Sequence, residues 1–540
     1  MGRIPVLTIT DPELIKLILV KDFHVFVDRN VVWTPKIAIR NRNLNQLIGD
    51  DWKRVRSIVT PIFSPKKLHV MYPQIRQCLT SFMSYLDVLA ENRQELDILD
   101  AFTKFSLDVN ATTIYATKLD LYKSSTDGNT TSEHPFVLQA RDKLVIKAWK
   151  EMASLVLPKF FLKWIGIEDT KTNYFFEDYI RHILKERRDN PGKKHNDFVQ
   201  LLMDAEVIDR KTGDDSATTQ DDKDNSEIHH VNQGEESLAV ERKVMDIKIR
   251  DKRLTEEEIV AQGFLFMTTG FAGTALALAY TAYEFALNPD CQRRLRDEIT
   301  VAISATTDEI AYDVLARLPY LDAVVSETMR KHVTFISLFR YPSVDYRLGD
   351  TGITLKAGQQ IEIPHYAIHL SDEYYPDPFK FDPDRFMPEN KHLIKPYTYL
   401  PFGGGPRNCV GMRFALLQIK ICLAHMVLKY QFFKTPKTDV PLQYQRSIKM
   451  MFPKRLEKDG VNNIPKFCSQ IDWNRSSKAN KFFEDYIRHL LKDRRDNPGN
   501  KHQDFIQLLI DAEVTDRKTG DDSATTQDDK DNSELHHVNQ

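Results

Sequence analysis

The stretch PFGGGPRNCVG, Pro401 to Gly411, constrains this chain more than any other. Four glycines and two prolines crowd around one cysteine, and a helical pattern, MRFALLQIKICLAHMVL, follows at once. Glycines at 403, 404, 405 and 411 let a backbone fold close around Cys409 and approach a flat cofactor. A thiolate is a soft ligand suited to iron, and the N-terminus of a helix favours it over the thiol. Taken alone, the glycines fit a tight turn before a helix equally well, so the rest of the sequence has to decide.

Composition narrows the choice. With 41% hydrophobic and 28% charged residues, the 540-residue chain reads as globular. A formal net charge of −2 leaves no overall nucleic-acid footprint, and no nucleic acid is expected as a partner. The five cysteines are Cys78, Cys291, Cys409, Cys422 and Cys468. Being few, odd in number and without CxxC spacing, they argue against a disulfide framework or a zinc site and for a reducing compartment. All but Cys409 read as ordinary thiols. No apolar run approaches the ~20 residues of a membrane-spanning helix. The start MGRIPV is neither a signal peptide nor a site for acylation at Gly2, since Val6 stands where a hydroxyl residue is wanted.

The chain has a seam. Residues 173–233 recur as 480–540, with FFEDYIRHILKERRDNPG repeated as FFEDYIRHLLKDRRDNPG. Two copies make no solenoid. The polar run Asp209–Glu227 recurs unchanged, whereas the helical part carries changes such as Ile183 against Leu490 and Met203 against Ile510. A module kept for its structure would drift in the linker and hold its core. The copy therefore reads as a duplication or chimeric tail. The expected organisation is a domain over 1–458, a disordered loop over 209–234, a linker over 459–479 and the duplicate over 480–540.

Between the copies the pattern is mostly helical. DDWKRVRSIVTPIF, FFEDYIRHILKERR, DFVQLLMDAE and SETMRKH carry apolar residues three and four apart. Glu256 to Leu287 reads as one long buried helix that stops at Asn288-Pro289. Strand-like pieces are few: RIPVLTIT, and ITLKAGQQIEIP from Ile353. The fold class is mainly α with small β-sheets.

The full spacing Phe402-x-x-Gly405-x-Arg407-x-Cys409-x-Gly411 resembles the haem-binding signature of the cytochrome P450 superfamily, and PFGGGPRNCVGMRFAL is most similar to the microsomal family 3 type and its arthropod relatives. The resemblance implies haem b held between a long distal helix and a proximal cysteine loop, with Cys409 as the axial thiolate ligand of iron. Glu327-Thr328-Met329-Arg330 resembles the family's E-x-x-R, and Arg385 in FDPDRF resembles the third member of its Glu-Arg-Arg cluster. Trp52-Lys53-Arg54-Val55-Arg56 resembles its W-x-x-x-R helix. By resemblance Trp52, Arg56, Arg340 and Arg407 hold the haem propionates, anions that suit a guanidinium fork. The implied function is a monooxygenase that oxidises small lipophilic molecules with dioxygen and electrons from an NADPH-dependent flavoprotein reductase. The implied location is the cytoplasmic face of the endoplasmic reticulum membrane. Leu155–Ile167, LVLPKFFLKWIGI, groups apolar residues beside Lys159 and Lys163 and suits peripheral membrane contact, or else a buried loop.

The departures matter as much. The family's distal pattern is Ala-Gly-x-(Asp/Glu)-Thr, whose acid–alcohol pair relays protons on the oxygen side of haem. Here, in FMTTGFAGTALAL, Gly270 fits, but Ala272 stands at the acid position and Gly273 at the alcohol position. Thr274 follows one residue late, ~100° around the helix. Thr269 or Thr274 could substitute through water, or each could simply bond a backbone carbonyl one turn back. Lys331-His332-Val333-Thr334 replaces the usual Lys-Tyr-Pro-Pro, which implies a reshaped pocket. The family's N-terminal membrane helix, first helix and first strand are also expected to be missing. A haem protein with little turnover, or a peroxide-rearranging isomerase, is the alternative.

Overall fold

The structure is a computed structural model. It describes residues 5–29, 41–92, 96–122, 134–144, 170–192, 197–207, 253–304, 310–436 and 438–444, with positions 195, 240, 451 and 453. Leu155–Ile167, the loop over 209–234, the linker over 459–479, the duplicate over 480–540 and Cys468 lie outside the described residues.

Several helices start where the sequence supplies a cap, an acidic first turn or a proline. The strand β1 (Val6–Thr8) leads through short helical turns to α1 (Gly49–Val59), which carries Asp50 and Asp51 in its first turn. The helices α2 (Pro65–Glu91) and α3 (Ile98–Tyr115) follow, the first begun by a proline and the second capped by the Asp97 carboxylate. Next come α4 (Thr170–Asp189), α5 (Phe198–Val207) and the long α6 (Glu256–Leu287). A capping box, Thr255 with Glu258, opens α6, and three glutamates fill its first turn. Then α7 (Pro289–Ser304) and α8 (Pro319–Lys331) precede the strands β2 (Leu338–Arg340), β3 (Tyr346–Arg347), β4 (Thr354–Leu355) and β5 (Gln360–Ile363). The last long helix, α9 (Met412–Lys429), begins three residues after Cys409 with Gly411 at its cap.

The sheets are small. Strand β5 lies between β1, parallel to it, and β2, antiparallel to it; β3 and β4 form a separate antiparallel pair. The core is helical. Helix α6 packs most extensively on α3 and also touches α4, α8 and α9. Its apolar length would by itself satisfy a membrane-spanning helix, contrary to the expectation from the sequence, but most of it is buried inside the fold. A helix surrounded by others has no polar face to keep wet, so apolar residues occur all round it. The first copy of the repeat is part of this core. Phe176, Ile180, Leu184, Val199 and Leu202 are buried, and a buried Arg187–Asp197 pair at 2.7 Å clamps α4 to α5.

Candidate haem-thiolate site

The loop that presents Cys409 is shaped by two glycines that no other residue could replace cheaply. Gly403 and Gly405 have φ of +75° and +70°, in the left-handed region. A Cβ on Gly405 would lie 1.9 Å from the carbonyl oxygen of Leu19. The chain thus passes directly under the segment Leu17–Lys21 and turns. The Asn408 N–H donates to the Gly405 carbonyl at 3.0 Å, and the Cys409 N–H to the Phe402 carbonyl at 2.9 Å. Phe402 is half-buried, and residues 403–408 are buried, but Cys409 is exposed on its open side. Although one side of the sulfur is exposed, the protein packed around the rest pushes its thiol up, while the Gly411 N–H and the charges of Arg56 and Arg29 favour the thiolate. Cys78 and Cys422 are buried and Cys291 half-buried, and all four described cysteines are free.

Around this loop the structure gathers cations. Arg407 donates to the carbonyls of Val27 and Leu47 and lies over the Trp52 ring, 4.9 Å from its centre. Arg56 donates to the Asn408 carbonyl at 3.0 Å. Arg340 is fully buried on β2, yet only its Nη1 finds an acceptor, the Phe339 carbonyl at 2.8 Å. Its Nε and Nη2, and the Nε atoms of Arg29 and Arg407, are buried without partners among the described residues. Burial and the neighbouring guanidiniums push Arg340 and Arg407 well below the usual arginine range, and burial with Arg56 brings Arg29 to about 10. Such a cluster repels itself and needs anions. The two carboxylates of a haem fit it. Arg29 is a member the sequence reading missed: it sits in no motif, and only the fold brings it beside Arg407, to whose carbonyl it donates.

Behind the loop the Glu-Arg-Arg cluster is formed. Arg330 grips Glu327 with two bonds, 2.7 and 2.8 Å, and both side chains are wholly buried. Arg330 also donates to the carbonyls of His369 and Pro378, 2.7 and 2.8 Å away. Arg385 stands 3.6 Å from Glu327, and the Asp382 N–H donates to Glu327 at 2.9 Å. One carboxylate therefore ties α8 to the chain that runs toward Cys409.

On the distal side, a Cβ at Gly273 would meet nothing within 4 Å. Thr269 is exposed and donates to the Leu265 carbonyl at 2.7 Å. Thr274 is buried and donates to the Gly270 carbonyl at 3.2 Å. Both threonines thus bond the preceding turn, and only Thr269 shares the open side of Gly273. The unusual His332 is held by Glu284 at 2.6 Å and the Tyr444 hydroxyl at 2.9 Å, stacked on Tyr280.

A cysteine on a tight glycine loop, with a buried guanidinium cluster around it, has the parts of a haem-thiolate site. The comparisons agree. The family described as Cytochrome P450 matches residues 1–236 and 228–459. Cytochrome P450 3A16 of Mus musculus is 30% identical over 454 residues, 83% of this chain and 81% of the relative. Cytochrome P450 9e2 of Blattella germanica is 30% identical over 462 residues, 81% and 80% of the two chains. Cytochrome P450 9b2 of Drosophila melanogaster is 31% identical over 448, covering 81% and 79%. This chain belongs to the cytochrome P450 family. It is a haem-thiolate monooxygenase of small lipophilic molecules with haem b as cofactor, and its fold is the mainly α fold expected from the sequence.

Proposed function

We propose that Cys409 is the iron ligand of this enzyme and that Arg29, Arg56, Arg340, Arg407 and Trp52 hold the propionates. The partnerless buried nitrogens of Arg340 carry the second assignment: they await an anion that no described side chain supplies. When bound, haem would supply the activation of dioxygen at its iron. The chain does the rest. Gly403, Gly405 and Gly411 let the backbone turn tightly enough to aim the sulfur outward while the Gly411 N–H favours its ionised form. Glu327, Arg330 and Arg385 fix the loop that carries it. On the other side Thr269 and Thr274 are the hydroxyls available for holding a proton in place of the missing acid–alcohol pair, Thr269 from the open face and Thr274 from within the helix.

Members of this family take electrons from an NADPH-dependent reductase. A microsomal flavoprotein is the partner proposed for this chain, and its microsomal relatives support an endoplasmic reticulum association, with Leu155–Ile167 as the peripheral membrane contact. The range 480–540 is proposed to be dispensable for haem binding, since the first copy already fills the core position that both sequences fit.

The carbon monoxide spectrum tests the ligand. Reduced, haem-loaded protein is expected to show the red-shifted Soret band of thiolate ligation, and Cys409→Ser to abolish it. Retention of that band in Cys409→Ser sinks the assignment.

A further inference from the structure

The distal helix α6 lacks the acid and alcohol of its family, but a polar side chain reaches it from another helix. Asn110 on α3 is fully buried, and neither its Nδ2 nor its Oδ1 has a hydrogen-bond partner among the described residues. Its carboxamide lies against α6 at Gly270: a Cβ there would be 2.8 Å from Asn110 Nδ2 and 3.8 Å from Oδ1. Gly270 is also the residue whose carbonyl accepts the Thr274 hydroxyl. Residues four apart lie one above the other on a helix, so Gly270 and Thr274 present one face to α3. Two unbonded amide atoms and one hydroxyl therefore converge on a single turn of α6, beside the open position of Gly273.

The Thr274 bond, at 3.2 Å, is the longest of the threonine bonds to the carbonyl four residues back among the described residues, the others running from 2.7 to 3.0 Å. One turn before Asn110, the buried Ser106 holds Gln418 of α9 at only 3.5 Å, and Gln418 Nε2 has no partner among the described residues. Two buried amides near this turn thus keep atoms without partners among the described residues. Buried amides in native proteins are nearly always satisfied, and where no protein group does it, ordered water does.

We propose that Asn110 holds an internal water against α6 at Gly270 and Thr274, and that this water positions the Thr274 hydroxyl for proton delivery in place of the missing side chains. The proposal rests on the monooxygenase reading above. Asn110 acts as a positioning residue. Its amide can donate to the water through Nδ2 and accept from it through Oδ1. The water in turn offers Thr274 a partner other than the carbonyl of Gly270, which frees the hydroxyl to turn toward the open side. A side chain at 270 would press on the amide and force its tip to shift.

The test uses the full haem-loaded chain with an NADPH-dependent reductase and a panel of lipophilic substrates. Asn110→Leu is close in volume and removes both polar atoms. It is expected to keep the thiolate carbon monoxide band and the native melting temperature, to raise peroxide released per NADPH about tenfold, and to change the solvent isotope effect on oxygen consumption. Asn110→Ser retains a hydroxyl and is expected to stay near native in both. In an Ala272→Glu, Gly273→Thr background the leucine effect is expected to vanish. A crystal structure of the haem-loaded protein is expected to show ordered water on the Asn110 amide. Should Asn110→Leu fail to load haem, Asn110→Val carries the same expectations. A dry amide, or an apolar variant with native coupling and isotope effect, overturns the proposal. If instead the native chain lacks the thiolate band, the monooxygenase reading fails, and the two failures are told apart.

Discussion

The Cys409 loop and the helix α6, the two sides of the site proposed above, are built on opposite terms. In the loop every motif position is filled and the backbone is held, while the guanidiniums around it keep buried nitrogens without partners among the described residues. Gly405 touches the backbone of Leu19, Cys409 is fixed by the Phe402 carbonyl, and Glu327 and Arg330 lock the approach. On the distal side Ala272 and Gly273 leave the helix open, Thr269 and Thr274 bond their own helix, and the nearest unsatisfied polar group belongs to a different element. The loop cannot change without losing the site, whereas the helix has already changed. The difference teaches where the fold spends its constraint: on the loop proposed to hold the cofactor, not on the groups proposed to serve it with protons.

The comparison predicts unequal responses to substitution. Glu327→Gln is expected to be the most damaging, because it leaves Arg330 and Arg385 facing a neutral group inside the fold. Breaking a buried pair in this way costs about 3–5 kcal/mol. Urea unfolding of the haem-loaded protein measures it, and a loss below about 1 kcal/mol would break the contrast between the two sides. Next comes Gly405→Ala. Its Cβ would collide with backbone, and the φ of +70° disfavours any side chain. A cost of at least about 1–3 kcal/mol and a falling haem content are expected, read from the ratio of Soret to protein absorbance. The distal change Ala272→Glu, Gly273→Thr is expected to be the mildest for the fold. Open space surrounds Gly273, and a mid-helix glycine is replaced, so stability is expected to hold or rise by a few tenths of a kcal/mol. Its effect lies in chemistry: product formed per NADPH consumed is expected to increase. Unchanged coupling would show that the native helix already delivers protons as well as the restored pair.

Much of the site could be read from one dimension, and the reasons are local. Cys409, Arg407, Gly405 and Gly411 sit within one loop, so their spacing could be matched to the family's signature without knowledge of the fold. Glu327 and Arg330 share a helix face, and Trp52 and Arg56 share another. The strand segments near Val6 and Gln360 were visible as short alternating runs between turns. Arg29 was not legible. It follows an apolar run and resembles a surface cation until the fold buries it against residues far along the chain. The long α6, read from the sequence as a buried helix over Glu256–Leu287, has those bounds and is mostly buried inside the fold, although its length and composition alone would also suit a membrane.

The sequence by itself determined the tight glycine loop around Cys409, the helical class and the presence of Ala272 and Gly273 on the long helix, because each depends on residues close together, where covalent spacing fixes geometry. Only the tertiary structure decided the rest: that Arg29 joins the cation cluster, that Thr274 faces inward while Thr269 faces the open side, and that Asn110 lies against Gly270. These depend on which faces of separate helices meet. Packing sets that through the shape and burial of many side chains at once, and no short stretch of chain encodes it.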